Sequence, residues 1–183
     1  MSLFVGIDGG QSSTVALLAD EQGRILGRGI AGASDEVGQE KGSRRLADAL
    51  EGAVRGALAS AALDARAELD AVVAGISGYA GRIRTTAPQL RAHRVRYLPD
   101  TAIAHAGAFA LGSGIAIIAG TGSVAYAWNE VTDPVQIGGL GYLFGDEGSA
   151  FWIARRALSD ALRAEDRATP SAIGTASPML PSM

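Results

Sequence analysis

The sequence predicts an α/β fold, and three observations carry that reading. Short apolar runs of strand length open the chain and recur through it, stretches of helical period come between later ones, and two of the runs end in a glycine-rich turn. At 48% apolar and 19% charged over 183 residues, the chain has the composition of a globular protein with a real core, in one domain or two small ones.

The elements follow in order. Residues 3–7 (LFVGI), 15–19 (VALLA) and 24–30 (RILGRGI) are strand-like runs separated by a glycine-rich turn and by the turn 20–23, which predicts an antiparallel meander of three strands. From 43 to 62, Leu46, Ala49, Leu50, Ala53, Val54, Ala57, Leu58 and Ala61 fall on one helical face. Arg45, Asp48, Glu51 and Arg55 take the other, so the segment is an amphipathic helix. Residues 70–76 (DAVVAGI) suit a buried strand that delivers Ser77 and Gly78 to a cleft edge. A strand at 95–98 precedes Pro99, Asp100 and an alanine-rich helix through Leu111. Residues 115–119 begin a new strand, with 124–128 and 134–137 as hairpin partners, and a helix runs from Phe151 to near Ala164. Residues 167–183, rich in Pro, Ser, Ala and Thr without period, read as loop or disordered tail.

Residues 101–129 carry no formal charge and are long enough to raise a membrane span. Their five glycines, with His105, Ser113, Thr121 and Ser123, point instead to a buried helix running into a buried strand. The net charge is −3 with the basic residues scattered, which excludes the footprint of nucleic-acid binding. There is no cysteine, hence no disulfide, iron–sulfur cluster or thiolate metal site. His93 and His105 stand apart, without metal-ligand spacing. At the N-terminus Asp8 interrupts the apolar run too early for a signal peptide, so the expected location is cytoplasmic.

Four constellations carry chemistry. In Asp8-Gly9-Gly10-Gln11-Ser12-Ser13-Thr14, glycines let backbone N–H groups approach phosphate oxygens, hydroxyls add donors, and an acid at the strand end can hold Mg²⁺ through water; a plain β-turn is the structural alternative. No Gly-Lys-Ser/Thr follows and the turn leads into a strand, so it is neither a Walker loop nor a dinucleotide fingerprint. Gly120-Thr121-Gly122-Ser123 repeats the strand–turn–strand plan, the sign of a two-lobed protein with related halves. Asp100 sits after a strand and before a helix, where it can serve as a general base, as a helix N-cap, or as both. The segment 138–150, GGLGYLFGDEGSA, concentrates glycines and an Asp-Glu pair before a helix, which favours a binding loop over a structural one.

These motifs, over residues 3 to about 163, resemble the acetate and sugar kinase, heat-shock chaperone and actin superfamily, and within it the activator-ATPase (BadF/BadG/BcrA/BcrD type) family with its N-acetylglucosamine and glucosamine kinases. The first motif is similar to that superfamily's Asp-Gly-Gly-x-Thr-x-Thr hairpin, with Ser12 in place of the first Thr, and the last to the Gly-Gly-Trp-Gly…Gly-Asp-Glu-Gly-Ser segment of the kinases, with Leu140 where Trp is common. The resemblance implies an actin-like ATPase (ribonuclease H-like) fold, with a complete first lobe at 1–112 and a truncated second lobe at 113–166. It further implies ATP and Mg²⁺ as cofactors, an amino sugar as substrate, and a homodimer, with no nucleic acid and no membrane as partner.

By that resemblance Asp8 positions Mg²⁺, Asp100 is the catalytic base, and Gly9, Gly10, Gln11, Ser12, Ser13, Thr14, Gly120, Thr121, Gly122 and Ser123 grip phosphates from both sides. Gly139, Leu140, Gly141 and Asp146 contact the sugar, with Ser34, Asp35, Ser77 and Gly78 as further contacts. The alternatives are an activator-type ATPase, disfavoured by the missing cysteines, and a non-catalytic sugar- or nucleotide-binding protein. With the adenosine motif of the superfamily expected further downstream, this chain alone is expected to bind nucleotide poorly.

Overall fold

A computed structural model describes residues 2–166; the reading of 167–183 lies outside them. The chain forms two compact units, Met1–Leu111 and Gly112–Met183.

The first unit is an α/β layer structure. The expected meander forms as β1 (Leu3–Gly9), β2 (Thr14–Asp20) and β3 (Ile25–Ala31), each pair antiparallel. The turn after β2 is closed by Asp20, whose carboxylate accepts hydrogen bonds from the Gln22 and Arg24 N–H groups and from the Arg24 guanidinium. Two parallel strands, β4 (Leu69–Ile76) and β5 (Ala92–Pro99), extend the sheet on the other side of β1, giving the order β3-β2-β1-β4-β5.

Helix α1 (Arg45–Ser60) buries the face expected from its period: Leu46, Ala49, Leu50, Ala53, Val54, Ala57 and Leu58. All of these but Ala49 share one core cluster with Val5, Ile7, Ala16 and Leu18 of the meander and Val72 and Ile76 of β4. The helix lies so close to β3 that a methyl group on Gly29 would sit 1.9 Å from the Ala53 carbonyl oxygen, and one on Gly27 2.1 Å from that of Ala57. Only glycine permits that approach. Helix α2 (Asp100–Phe109) follows β5 and ends where Ala110 turns left-handed at φ 49°.

The second unit holds an antiparallel sheet, β6 (Gly114–Ala119), β7 (Ser123–Trp128) and β8 (Val135–Gly138), then α3 (Ala150–Asp166). No described helix is long and apolar enough to cross a membrane.

The segment 101–129 corrects the expectation of a buried helix and a buried strand. Helix α2 buries only Thr101 and His105, the latter against the Phe109 ring at 4.8 Å between centroids. Ile115 and Ile117 are 67% and 77% exposed. The registers Ile115↔Ala127↔Val135 and Ile117↔Ala125↔Ile137 gather apolar side chains on one sheet face, and no described element covers it. Periodicity marks a face as apolar without saying whether anything packs on it.

Candidate functional site

In the first unit the site forms at the carboxyl ends of the parallel strands. Across the sheet Asp8 stands opposite Gly75, and Gly75 opposite Leu98, two residues before Asp100. Ser77 follows β4 and donates its N–H to the Gly9 carbonyl at 2.8 Å, so the ends of β1 and β4 are tied together. Asp8, Ser77 and Asp100 therefore share one sheet edge because three consecutive parallel strands stop in register, the place where open α/β sheets bind ligands. Gly78 continues the chain at φ 74°.

The β1–β2 turn is held by the Gly10 N–H donating to the Ser13 carbonyl at 2.9 Å. Gln11, Ser12 and Ser13 are exposed, leaving their side chains available to a ligand. Thr14 differs: it is fully buried and its hydroxyl donates to the Gly32 carbonyl at 2.8 Å, so it braces the turn from behind.

The loop after β3 folds over Gly9. A methyl group on Gly9 would lie 2.5 Å from the Ser34 Oγ and 3.1 Å from the Gly75 carbonyl. Ser34 is fully buried, its N–H donates to the Gly10 carbonyl at 3.0 Å, and its hydroxyl has no hydrogen-bond partner among the described residues. Asp35 is buried and paired with Arg45 at 2.7 Å. Neither side chain opens to solvent in this arrangement.

Charge is concentrated at Asp8. Although the residue is exposed, partial loss of hydration, and then the nearby Asp100 carboxylate, push its pKa above the ordinary aspartate value. Asp100 is half-buried and is the first residue of α2 rather than its N-cap, which is Pro99; its Oδ1 accepts from the Thr101 N–H at 2.8 Å. No group of three or more His, Cys, Asp or Glu that could hold a metal ion forms among the described residues. Two carboxylates that repel each other, without imidazole or thiolate, suit a largely hydrated Mg²⁺ shared with phosphate oxygens better than a caged metal.

Sequence reasoning missed two supporting residues. Glu36, buried after Asp35, accepts hydrogen bonds from the Arg84 and Thr85 N–H groups and the Thr85 hydroxyl at 2.7–2.8 Å, which pins the loop. Nothing local marked it, since its partners lie 48 and 49 residues away. Gly75 lets Ile103 of α2 pack onto β4, where a methyl group would come within 2.4 Å of that side chain. A glycine inside an apolar strand was the available signal.

In the second unit the Gly120–Ser123 turn joins β6 to β7, with the Gly120 N–H donating to the Gly122 carbonyl at 2.9 Å. The Asp146 carboxylate, 8% exposed, faces this turn and its Oδ1 accepts from the Ser123 N–H at 3.2 Å. Gly139 and Gly141 adopt φ of 69° and 80° around Leu140, which is 68% exposed. The structure thus brings Gly120, Gly122, Ser123 and Asp146 together, while Leu140 stands on the surface of its loop.

Residues 5–178 match the model of the BadF/BadG/BcrA/BcrD ATPase family. The chain is similar to the N-acetylmuramic acid/N-acetylglucosamine kinase of Clostridium acetobutylicum, at 29% identity over 91% of this chain and 56% of that protein. It is 26% identical to the N-acetyl-D-glucosamine kinase of Dictyostelium discoideum, over 92% of this chain and 56% of that protein. A crystal structure from Chromobacterium violaceum, provisionally named an N-acetylglucosamine kinase, superposes with a TM-score of 0.81 at 27% identity, over 96% of this chain and 62% of that one. The chain spans about half the length of the curated relatives it matches.

Proposed function

The chain belongs to the BadF/BadG/BcrA/BcrD ATPase family and has the α/β fold of actin-like ATPases; from that premise we propose that it serves an ATP-dependent kinase acting on an amino sugar, N-acetylglucosamine or glucosamine. The observation that carries this reading is the gathering of Asp8, Ser77 and Asp100 at the ends of three adjacent parallel strands, beside a turn with open hydroxyls. The names of the relatives support the substrate class.

In this reading residues 1–112 form the first lobe and 113–166 belong to the second. Asp100 accepts the proton of a sugar hydroxyl as that oxygen attacks the γ-phosphorus; the bond to the bridging oxygen breaks and ADP leaves with the electron pair. Asp8 would hold Mg²⁺ through water, and the ion would supply charge neutralisation to the phosphates. Gly9 and Gly10 allow close backbone approach, Gln11, Ser12 and Ser13 offer donors, and the Gly120–Ser123 turn grips phosphate in the same manner. Thr14 acts through the turn it braces. Ser77, Gly78, Gly139, Leu140, Gly141 and Asp146 are assigned to the sugar, with Ser34 and Asp35 joining them only if their loop opens. A cytoplasmic homodimer completes the proposal.

The test is a coupled assay of ADP release on the protein expressed from its intact reading frame, with N-acetylglucosamine, glucosamine and glucose. Turnover with an amino sugar above that with glucose supports the reading; no turnover with any of the three overturns it.

A further inference from the structure

Beyond its sugar assignment, Asp146 takes part in a set of contacts within the second unit. The segment 146–150 wraps the Gly120–Ser123 turn at four points. The Asp146 Oδ1 accepts from the Ser123 N–H at 3.2 Å, and the Glu147 carbonyl accepts from the Ser123 hydroxyl at 2.8 Å. The Ala150 N–H donates to the Gly120 carbonyl at 2.9 Å. The Asp146 carboxylate also lies against Gly122 so closely that a methyl group there would meet its oxygens at 2.9 and 3.2 Å.

The backbone of Asp146 adopts φ 61°, a conformation that Asn and Asp tolerate better than most residues. The Ser149 N–H closes this bend on the Asp146 carbonyl at 3.0 Å. Exposure separates the two sides of the turn: Asp146 is buried, while Thr121 is exposed and Gly122 half-exposed. The N–H groups of Thr121 and Gly122 have no hydrogen-bond partner among the described residues. The carboxylate backs the turn from the protein side and leaves those two donors for an incoming anion.

We propose that Asp146 is a positioning residue for the phosphate-binding turn: its carboxylate, acting as an acceptor, holds the Ser123 N–H and keeps the Thr121 and Gly122 N–H groups directed outward. The turn is then ordered before nucleotide arrives, and one side chain links the loop assigned to the sugar with the turn assigned to phosphate. This inference rests on the kinase reading for the identity of the anion but not for the ordering of the turn.

The test compares Asp146→Gly with Asp146→Asn. Glycine accepts φ 61° without strain and removes the acceptor; asparagine also tolerates it and keeps a carbonyl acceptor while removing the charge. Amide hydrogen exchange at Ser123 and binding of Mg²⁺-AMPPNP in the absence of sugar are measured for both variants and the parent. At 3.2 Å the Asp146–Ser123 hydrogen bond is long, and its loss corresponds to about a five- to tenfold change, as for an ordinary uncharged one. Exchange at Ser123 is expected to accelerate by about that factor in Asp146→Gly, with nucleotide binding weakened to match, and Asp146→Asn is expected to restore both to within about twofold. Unchanged exchange in Asp146→Gly overturns the proposal, as does equal impairment of the two variants, which assigns the effect to charge. If the parent, expressed from its intact reading frame, binds no AMPPNP the kinase reading fails, while the Ser123 exchange rates still decide the positioning role.

Discussion

Asp100→Asn is expected to lower kcat by about two to four powers of ten with nucleotide affinity little changed, the size of general-base removal. Steady-state kinetics on the intact protein check it, and near-normal kcat would reduce Asp100 to the start of a helix. Glu36 makes a different prediction. Burial acts to raise its pKa, but the Thr85 hydroxyl and N–H, the Arg84 N–H and the Arg84 guanidinium outweigh that, and its pKa falls below the ordinary glutamate value. A depressed folded-state pKa contributes stability above the unfolded value that is lost as pH falls through the folded one. Glu36→Gln should therefore lower stability by about 1.5–3 kcal/mol at pH 7, the range for hydrogen bonds to a charged group. The gap to the parent should narrow below about pH 4.5, which chemical denaturation at pH 7 and pH 3.5 measures. Among the proposed site residues, Asp8, Asp100 and the two glycine turns could be singled out from the sequence because their chemistry is local to a motif. That Thr14 and Ser34 face inward was not legible, because burial depends on the loop after β3 folding back over Gly9.

The contact between α1 and β3 decides the stability of the first unit. Gly29→Ala places a methyl group into the Ala53 carbonyl, a backbone atom that cannot rotate away, so the helix must lift from the sheet. A loss of about 3 kcal/mol or more is expected, at or above the upper end of the usual range for a single substitution. Leu50→Ala, at a fully buried position on the same helix, should cost about 2–5 kcal/mol by leaving a cavity. Urea unfolding checks both; a loss below about 1 kcal/mol for Gly29→Ala would mean that the helix accommodates the methyl group. The apolar face of α1 was readable from its period. The closeness of its approach was not, because Gly27 and Gly29 in β3 read equally well as turn or bulge residues until the helix lies across them.

Over the whole molecule, burial is uneven between the two units. Every buried apolar residue among those described, apart from Ala161, lies in the first unit. Ile115, Ile117, Val135 and Ile137 of the second remain exposed. Local opening follows the density of buried apolar contacts. Amides of β6–β8 are thus expected to exchange faster than those of β1 and β4 by at least about tenfold in this chain, read by hydrogen exchange with mass or NMR detection. Equal protection in both sheets would show that the second sheet is covered in solution.

Short-range chemistry controls the features that could be read along the chain. The order of strands and helices follows from period 2 and period 3.6, the turns from glycine, and the carboxylates at strand ends from their neighbours. Asp8 and Asp100, 92 positions apart, could be suspected of a common site only through resemblance. Tertiary structure decided the rest: that β1, β4 and β5 run parallel and end in register, so that the Asp100 charge reaches Asp8; and that the Asp146 carboxylate turns onto Ser123, 23 residues earlier. Such pairings depend on which surfaces meet, and contacts between distant residues leave no period in the chain that makes them.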